Sequence, residues 1–281
     1  MGKESKIAWT QASQNFWTGC KKVSAGCKHC YMFRDMRRWG KDPEEVTRTS
    51  EGTFNAPLKW KEPRVIFTCS WSDYFIDSAD AWREDAWSII RRTPQHVWLL
   101  LTKRPENIAS RLPGDWEGGR NYPNVWLGVT IEEPRVLGRI EILRRTNHPN
   151  LFISLEPLLL PPIIKHDVEI FRKTFAGIKW MIAGGESGYY ARPCFIEFFE
   201  HIIDYGKTLG IPIFIKQTGS YMAKESGYKH SAGADPAEWP EFLRVQEYPP
   251  EILKLITGAN MGPRGKDGGM GTLFDEPIKK P

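Results

Sequence analysis

The stretch "LFISLEP", Leu151 to Pro157, is an apolar run that ends directly on a carboxylate and is stopped by a proline. Its residue types predict a buried strand with an acid at its carboxyl end. The same pattern recurs on both sides. Upstream stand VIFTC (65–69), HVWLLLT (96–102) and VWLGVT (125–130); downstream stand KWMIAGG (179–185) and IPIFIK (211–216). Taken at 65, 96, 125, 151, 180 and 211, the starts lie 26 to 31 residues apart. That is the length of one strand–helix unit.

Helical periodicity fills several of the intervals. Ser78 reads as the N-cap of a helix burying Trp82, Ala86, Ile89 and Ile90, and Pro134 suits a first helical turn ahead of Leu137, Ile140 and Leu143. Phe195, Phe198, Phe199, Ile202 and Leu209 form an apolar stripe closed by Gly210. Near-continuous apolar strands imply a sheet covered on both faces, hence parallel. The expected architecture is α/β, a partial or complete (β/α) barrel of parallel strands, with a doubly wound open sheet as the alternative. A further strand is expected around residues 15–18. Residues 1–216 then form the barrel with an N-terminal cysteine loop. The Gly-, Pro- and charge-rich residues 217–281 read as an irregular extension on or near the barrel mouth, in the manner of a lid, with no second core.

With 281 residues, 41% of them hydrophobic and 26% charged, the chain has the composition of a soluble globular protein. Its opening, MGKESKIAWTQ, has no signal-peptide layout, and runs such as 97–101 are too short to span a bilayer. A cytoplasmic protein with no membrane partner is expected. Five cysteines, three of them between positions 20 and 30, argue for metal binding over a disulfide framework. Net charge is +5, and residues 20–41 hold seven Lys and Arg against Asp35 alone. Such a patch suits a polyanionic substrate; equally, it is a solvated helix face, or it offsets thiolate charge.

In parallel α/β folds, functional groups gather at the carboxyl ends of strands. Here the runs lead in turn to Ser70, Ser72 and Asp73; to Thr102, Lys103 and Arg104; to Thr130, Glu132 and Glu133; to Glu156; to Glu186 and Ser187; and to Lys216 and Gln217. Six polar ends in phase favour one lined cavity. Glu156 is the leading single candidate, with Lys216 beside it as a second catalytic candidate; the plain alternative pairs Glu156 with Lys103, Arg104 or Lys216. GGESG (184–188) is either a backbone nest for a phosphate, ribose or carboxylate, or a turn whose glycines serve packing.

Cys27 and Cys30 form a C-x2-C pair, with Cys20 seven residues ahead of Cys27. This suits zinc and an iron–sulfur cluster equally. Zinc needs a fourth ligand from His29, Cys69, Cys194 or elsewhere, and no second C-x2-C or H-x3-H supplies it. The six histidines (29, 96, 148, 166, 201 and 230) are scattered, which argues against a metal-dependent barrel hydrolase. Three thiolates without an obvious fourth suit a 4Fe-4S cluster with one open iron. The segment after Cys30 reads as a helix with Met32, Phe33, Met36 and Trp39 on one face.

A three-cysteine loop after the first strand of a βα barrel resembles the radical S-adenosylmethionine (SAM) superfamily. More narrowly, KIAWTQASQNFWTGCKKVSAGCKHCY, with GGESG and FIKQTG downstream, resembles a phage and prophage three-cysteine-motif family, from about residue 6 to 220. The resemblance implies that Cys20, Cys27 and Cys30 ligate a 4Fe-4S cluster whose open iron chelates the amino and carboxylate groups of S-adenosyl-L-methionine. An external electron donor of flavodoxin or ferredoxin type then drives cleavage to methionine and a 5′-deoxyadenosyl radical. Two departures stand out. The spacing is C-x6-C-x2-C in place of C-x3-C-x2-C, with His29 where an aromatic residue usually precedes the last cysteine. The only Gly-Gly-Glu follows a late strand, so by position Ser72 and Asp73 are the candidates for the SAM amino group. Glu156 and Gly184, Gly185, Glu186 and Ser187 are the candidates for its ribose or adenine side. The phage association points to nucleic acid or nucleotide, with Lys103, Arg104, Arg192 and some of the twelve tryptophans as possible contacts. The expected reaction modifies or isomerises a group on a thymine or other pyrimidine. The competing reading is a zinc-stabilised, non-catalytic nucleic-acid-binding protein.

Overall fold

The computed structural model describes residues 4–163 and 167–257. His166 and the Gly-rich stretch 258–274 lie outside the described residues, as does the rest of the expected extension beyond 257. In chain order, β1 (Ala12–Gln14) enters the main sheet, while β2 (Trp17–Thr18) and β3 (Thr47–Arg48) pair antiparallel in a small separate ladder. Then β4 (Val65–Thr68), β5 (Val97–Thr102), β6 (Val125–Thr130), β7 (Leu151–Leu155), β8 (Ile178–Gly184) and β9 (Ile213–Gln217) follow. The main sheet has seven strands in the order β1-β4-β5-β6-β7-β8-β9, every neighbouring pair parallel, and it curls into a half-barrel.

The helices lie between these strands: α1 (Tyr31–Arg38), the single turn α2 (Glu51–Phe54), α3 (Asp80–Arg92), α4 (Gly138–Arg144), α5 (Val168–Thr174) and α6 (Ile196–Leu209). One face of the sheet packs Ile66, Leu100, Leu127, Ile153 and Met181 against Trp87, Ile90, Leu143 and Phe199 of the helices. The opposite face, inside the curl, carries Val65, Leu99, Trp126, Phe152, Trp180 and Phe214 with Trp9. With both faces covered, every residue of β6 and β7 is buried, as continuous apolar runs require. Gly128 belongs to this inner packing: a Cβ there would stand 2.4 Å from the Phe152 ring.

Local departures from expectation have plain causes. The chain leaves the main sheet after Gln14 because Asn15, fully buried, turns its amide to the loop after β4, where its Oδ1 accepts from Trp71 N at 2.8 Å. The residues expected as a strand at 15–18 therefore contribute only Trp17 and Thr18, to the small ladder. Ser78 is not an N-cap; a 3-10 turn at Asp77–Ala79 leads into α3, which buries Arg83 and Trp87 along with Ala86, Ile89 and Ile90 and leaves Trp82 only half-buried. Gly210 does close α6, in the left-handed conformation at φ +66°. Trp39 lies just past α1 and is 59% exposed.

The segment after β9 divides in two. Its first part, with α7 (Ser220–Glu225), packs beside the barrel mouth: Ser220 N donates to Glu186 O at 2.9 Å. Within the described residues, its later part runs along β9. Ile215 N donates to Val245 O and Glu247 N to Ile213 O, both at 2.8 Å, which covers the open edge of β9. Helix α8 (Pro250–Thr257) then places Ile252 among the aromatics inside the curl.

Candidate functional site

At the carboxyl ends of the strands the half-barrel encloses a cavity of about 260 Å³. Trp9, Phe67 and Leu101 give it an apolar floor. Cys20, Cys27 and Cys30 all line it, from the loop between β2 and α1. Around them stand polar groups from the end of every later strand: Ser72 and Asp73, Lys103 and Arg104, Thr130, Glu156, Gly185 to Ser187, and Lys216 with Gln217. The in-phase strand ends expected from the sequence thus meet in one place. Gly184, Glu132, Glu133 and Arg192 are not among the lining residues; Gly184 packs against Glu156, where a Cβ would stand 2.9 Å from Oε1.

The longer cysteine spacing accommodates a 3-10 turn, Ala25–Cys27, that is fastened to the barrel at two points. The first is Glu132, 1% exposed, which accepts from Ser24 Oγ and from Arg139 Nη1 at 2.7 Å. Gly26 lies flat on that carboxylate, where a Cβ would come within 2.4 Å of Glu132 Oε1. The second is Arg192, whose Nη1 donates to Ala25 O at 2.9 Å while Nε and Nη2 grip the Glu186 carboxylate at 2.8 and 2.6 Å. Burial alone would raise the Glu186 carboxyl, but the hydrogen bonds and charge of Arg192 hold it below its usual value. Arg192 and Glu186 are therefore spent on each other and on the cysteine loop. Gly185 owes its place to packing, since a Cβ would stand 2.2 Å from Thr218 O.

Asp73 and Arg104 form a second buried unit. The Asp73 carboxylate accepts from Phe75 N and Thr102 Oγ1 on one oxygen, at 2.9 and 2.6 Å, and from Lys103 N and Arg104 Nη1 on the other, at 3.0 and 3.1 Å. Arg104 in turn donates from Nη2 to Lys21 O at 2.5 Å and reaches Cys20 Sγ from Nη1 at 3.6 Å. Burial, and then the Asp73 charge, push the Cys20 thiol up to about 12, with Arg104 acting in the opposite sense. Ser72 donates to Gly19 O at 2.5 Å, just before the first cysteine. Ser72, Asp73 and Arg104 thus all brace the start of the cysteine loop.

On the opposite wall, Lys216 Nζ donates to Glu156 Oε1 at 2.7 Å, and Ser154 Oγ lies 3.3 Å from Glu156 Oε2. Of the three cations offered as partners for Glu156, Lys216 is the one it takes. Lys103 instead donates from Nζ to Thr130 Oγ1 at 3.1 Å. Cys69 also lines the cavity, and its sulfur is held by the backbone of Phe16 and Trp17. Cys194 is buried and is not among the lining residues.

Among the described residues, no three His, Cys, Asp or Glu side chains are gathered as a ready-made metal cage. The three thiols share one cavity wall without converging on a point. As a donor set they nonetheless fit an iron–sulfur cluster: soft sulfur ligands, a buried guanidinium hydrogen-bonded to one of them, and an apolar floor.

Fold and site together define an α/β half-barrel protein with a strand-end cavity walled on one side by a fastened three-cysteine loop. The chain belongs to the family described as "Protein of unknown function (DUF5131)", whose profile matches residues 4–261. No curated protein matches it. Among the described residues, no helix is long and apolar enough to cross a membrane.

Proposed function

We propose that the protein is a radical SAM enzyme that modifies or isomerises a group on a thymine or other pyrimidine, in DNA or as a nucleotide. One observation carries the reading: Cys20, Cys27 and Cys30 line the same cavity into which the strand-end polar residues project. These cysteines would hold a 4Fe-4S cluster, with S-adenosyl-L-methionine beside it in the cavity and a flavodoxin- or ferredoxin-type protein as reductant. When bound, that pair supplies one-electron cleavage of SAM and hydrogen-atom abstraction.

The chain's own residues position and shield. Glu132 and Arg192 hold the cysteine loop against the barrel, and Arg104 donates toward Cys20 from a site anchored by Asp73. Trp9, Phe67 and Leu101 give the floor apolar surface, which lowers the dielectric around polar contacts above it. Glu156 and Lys216 present a paired carboxylate and ammonium on the wall, suited to a hydroxyl- and amine-bearing ligand. Lys103 offers a further ammonium beside Thr130.

Anaerobic reconstitution with iron and sulfide, followed by reduction and addition of SAM with thymidine nucleotides or DNA, tests this. A brown protein that releases 5′-deoxyadenosine is expected. A colourless protein carrying one zinc and no SAM turnover would establish the zinc-binding alternative instead. Replacing Cys20 by Ala should abolish the intact cluster.

A further inference from the structure

Two rows of aromatic rings lead outward from the cavity, and both end in solvent. In the first, His29, a cavity-lining residue, stacks on Tyr190 with ring centres 6.2 Å apart and planes at 27°. Tyr190 meets Tyr189 edge-on at 5.0 Å. In the second, cavity-lining Tyr31 meets Trp71 edge-on at 6.5 Å, and Trp71 stacks on Trp39 at 5.0 Å and 7°. Tyr189 is 95% exposed and Tyr190 73%. Large rings are ordinarily withdrawn from water, so a grouped exposed set marks a contact surface.

The cations around these rings decide what it contacts. The second row begins on helix α1 at Tyr31 and ends just past it at Trp39; α1 carries Arg34, Arg37 and Arg38 on its exposed side, and the cysteine loop adds Lys21, Lys22 and Lys28. Among the described residues only Arg34 of these six is ion-paired, with Asp35 at 2.8 Å. Lys22 lies over the Phe33 ring and Arg192 is already committed to Glu186. The Arg34 guanidinium reaches the loop of the tyrosines, since a Cβ at Gly188 would stand 2.9 Å from its Nη1. Arg37 likewise lies over the Phe33 ring. Stacking rings beside exposed cations, five of the six without an ion pair among the described residues, are what a single-stranded nucleic acid needs: π-faces for bases and charge for phosphates.

We propose that this rim docks an unpaired DNA strand, its phosphates on the cations of α1 and the cysteine loop and a base on Tyr189 and Tyr190. A neighbouring base then reaches the cavity past His29. The choice of DNA and the entry of a base rest on the proposed function; the binding of a strand does not.

Fluorescence anisotropy of the full-length protein with a labelled oligothymidylate, the matching duplex, and free thymidine monophosphate as competitor tests the docking. The single strand should bind more tightly than the duplex, and thymidine monophosphate should not displace it at comparable concentration. Tyr189→Ala and Tyr190→Ala should each weaken binding by about tenfold. Replacing both Arg37 and Arg38 by Gln should lower the log–log salt slope by about 1.4. Because these side chains are exposed, unchanged thermal unfolding of each variant is expected. Equal affinity for duplex and single strand with both tyrosine variants unaltered would overturn the proposal. So would efficient displacement by the monophosphate, or a dimer in solution that Tyr190→Ala dissolves. Strand binding that persists when no 5′-deoxyadenosine forms removes the proposed chemistry and leaves this surface standing. Turnover on free nucleotide with no strand binding does the reverse.

Discussion

Replacing Glu132 by Ala should unfasten the cysteine loop from the barrel. The carboxylate is 1% exposed and takes hydrogen bonds from Arg139 Nη1 and Ser24 Oγ. Without it, Arg139 retains Thr130 O at 2.7 Å as a partner, and Ser24 loses its anchor. Breaking one side of a buried ion pair costs about 3–5 kcal/mol, and the surviving carbonyl keeps the cost near the lower figure. At ~2–4 °C per kcal/mol for a chain of this size, Tm should fall by roughly 6–12 °C. Gly26→Ala attacks the same contact from the other side. Its Cβ would stand 2.4 Å from Glu132 Oε1 and 2.5 Å from Cγ, so one group must move. Overpacking of this kind costs about 1–3 kcal/mol.

The double variant decides whether the two residues act as one clasp. The three atoms nearest that methyl all belong to the Glu132 side chain, so Gly26→Ala should cost much less in the Glu132→Ala background. The coupling energy should then be about 1–3 kcal/mol. Urea unfolding of the four proteins of the cycle measures it, and the rate of Cys27 labelling by a thiol reagent reports loosening of the loop directly. Additivity within about 0.5 kcal/mol, with unchanged labelling in Glu132→Ala, would refute the clasp.

Three further outcomes are expected. Glu186→Gln should cost about 2 kcal/mol at pH 7, because charged hydrogen bonds to Arg192 are lost. The native carboxyl sits below its usual value of 4.5, so that difference should hold above about pH 4.5 and vanish as pH falls through the lowered value; a gap that persists in strong acid refutes it. Burial holds His96 and His148 below the usual imidazole value, so the unfolded chain takes up protons first and unfolding free energy should decline as pH falls from about 7 to 5. A flat profile across that window refutes this. Ile252→Ala, in the inner cluster with Trp180 and Phe214, should cost about 2–4 kcal/mol in denaturant unfolding; an effect below about 0.5 kcal/mol would mean α8 does not close the curl.

The long strands were legible because each is a continuous apolar run between polar turns, and that pattern survives without any knowledge of partners. Strands β4 to β9 fall on the six runs, starting within about two residues of them. Strand β1 was not legible: Ala-Ser-Gln has no apolar signal, and only its pairing with Ile66 to Thr68 makes it a strand. Long-range polar partners were equally hidden. Glu132 stood out as a strand-end acid, but nothing near it names Ser24 or Gly26, which lie over a hundred residues away. The extension after Lys216 looked patternless because its order comes from covering an edge already made. Val245 and Glu247 bond the backbone of β9, which asks little of side-chain type.

These partners change what the strand-end residues can do. Asp73 has both oxygens filled by four donors, Ser72 is given to Gly19, and Glu186 is gripped by Arg192. All three brace the cysteine loop or its surroundings before any ligand arrives, and a ligand that displaced them would leave Arg104 or Arg192 without its counter-charge. A ligand that preserves those braces meets other groups first: the Glu156–Lys216 pair, Lys103 beside Thr130, Ser187 and Gln217. The stretched C-x6-C spacing follows from the same economy of contacts. Ser24, Ala25 and Gly26, all within the longer interval, are the residues that meet Glu132 and Arg192. A shorter loop would have to forgo some of these anchors, so the departure in spacing belongs to the way this barrel holds its thiols.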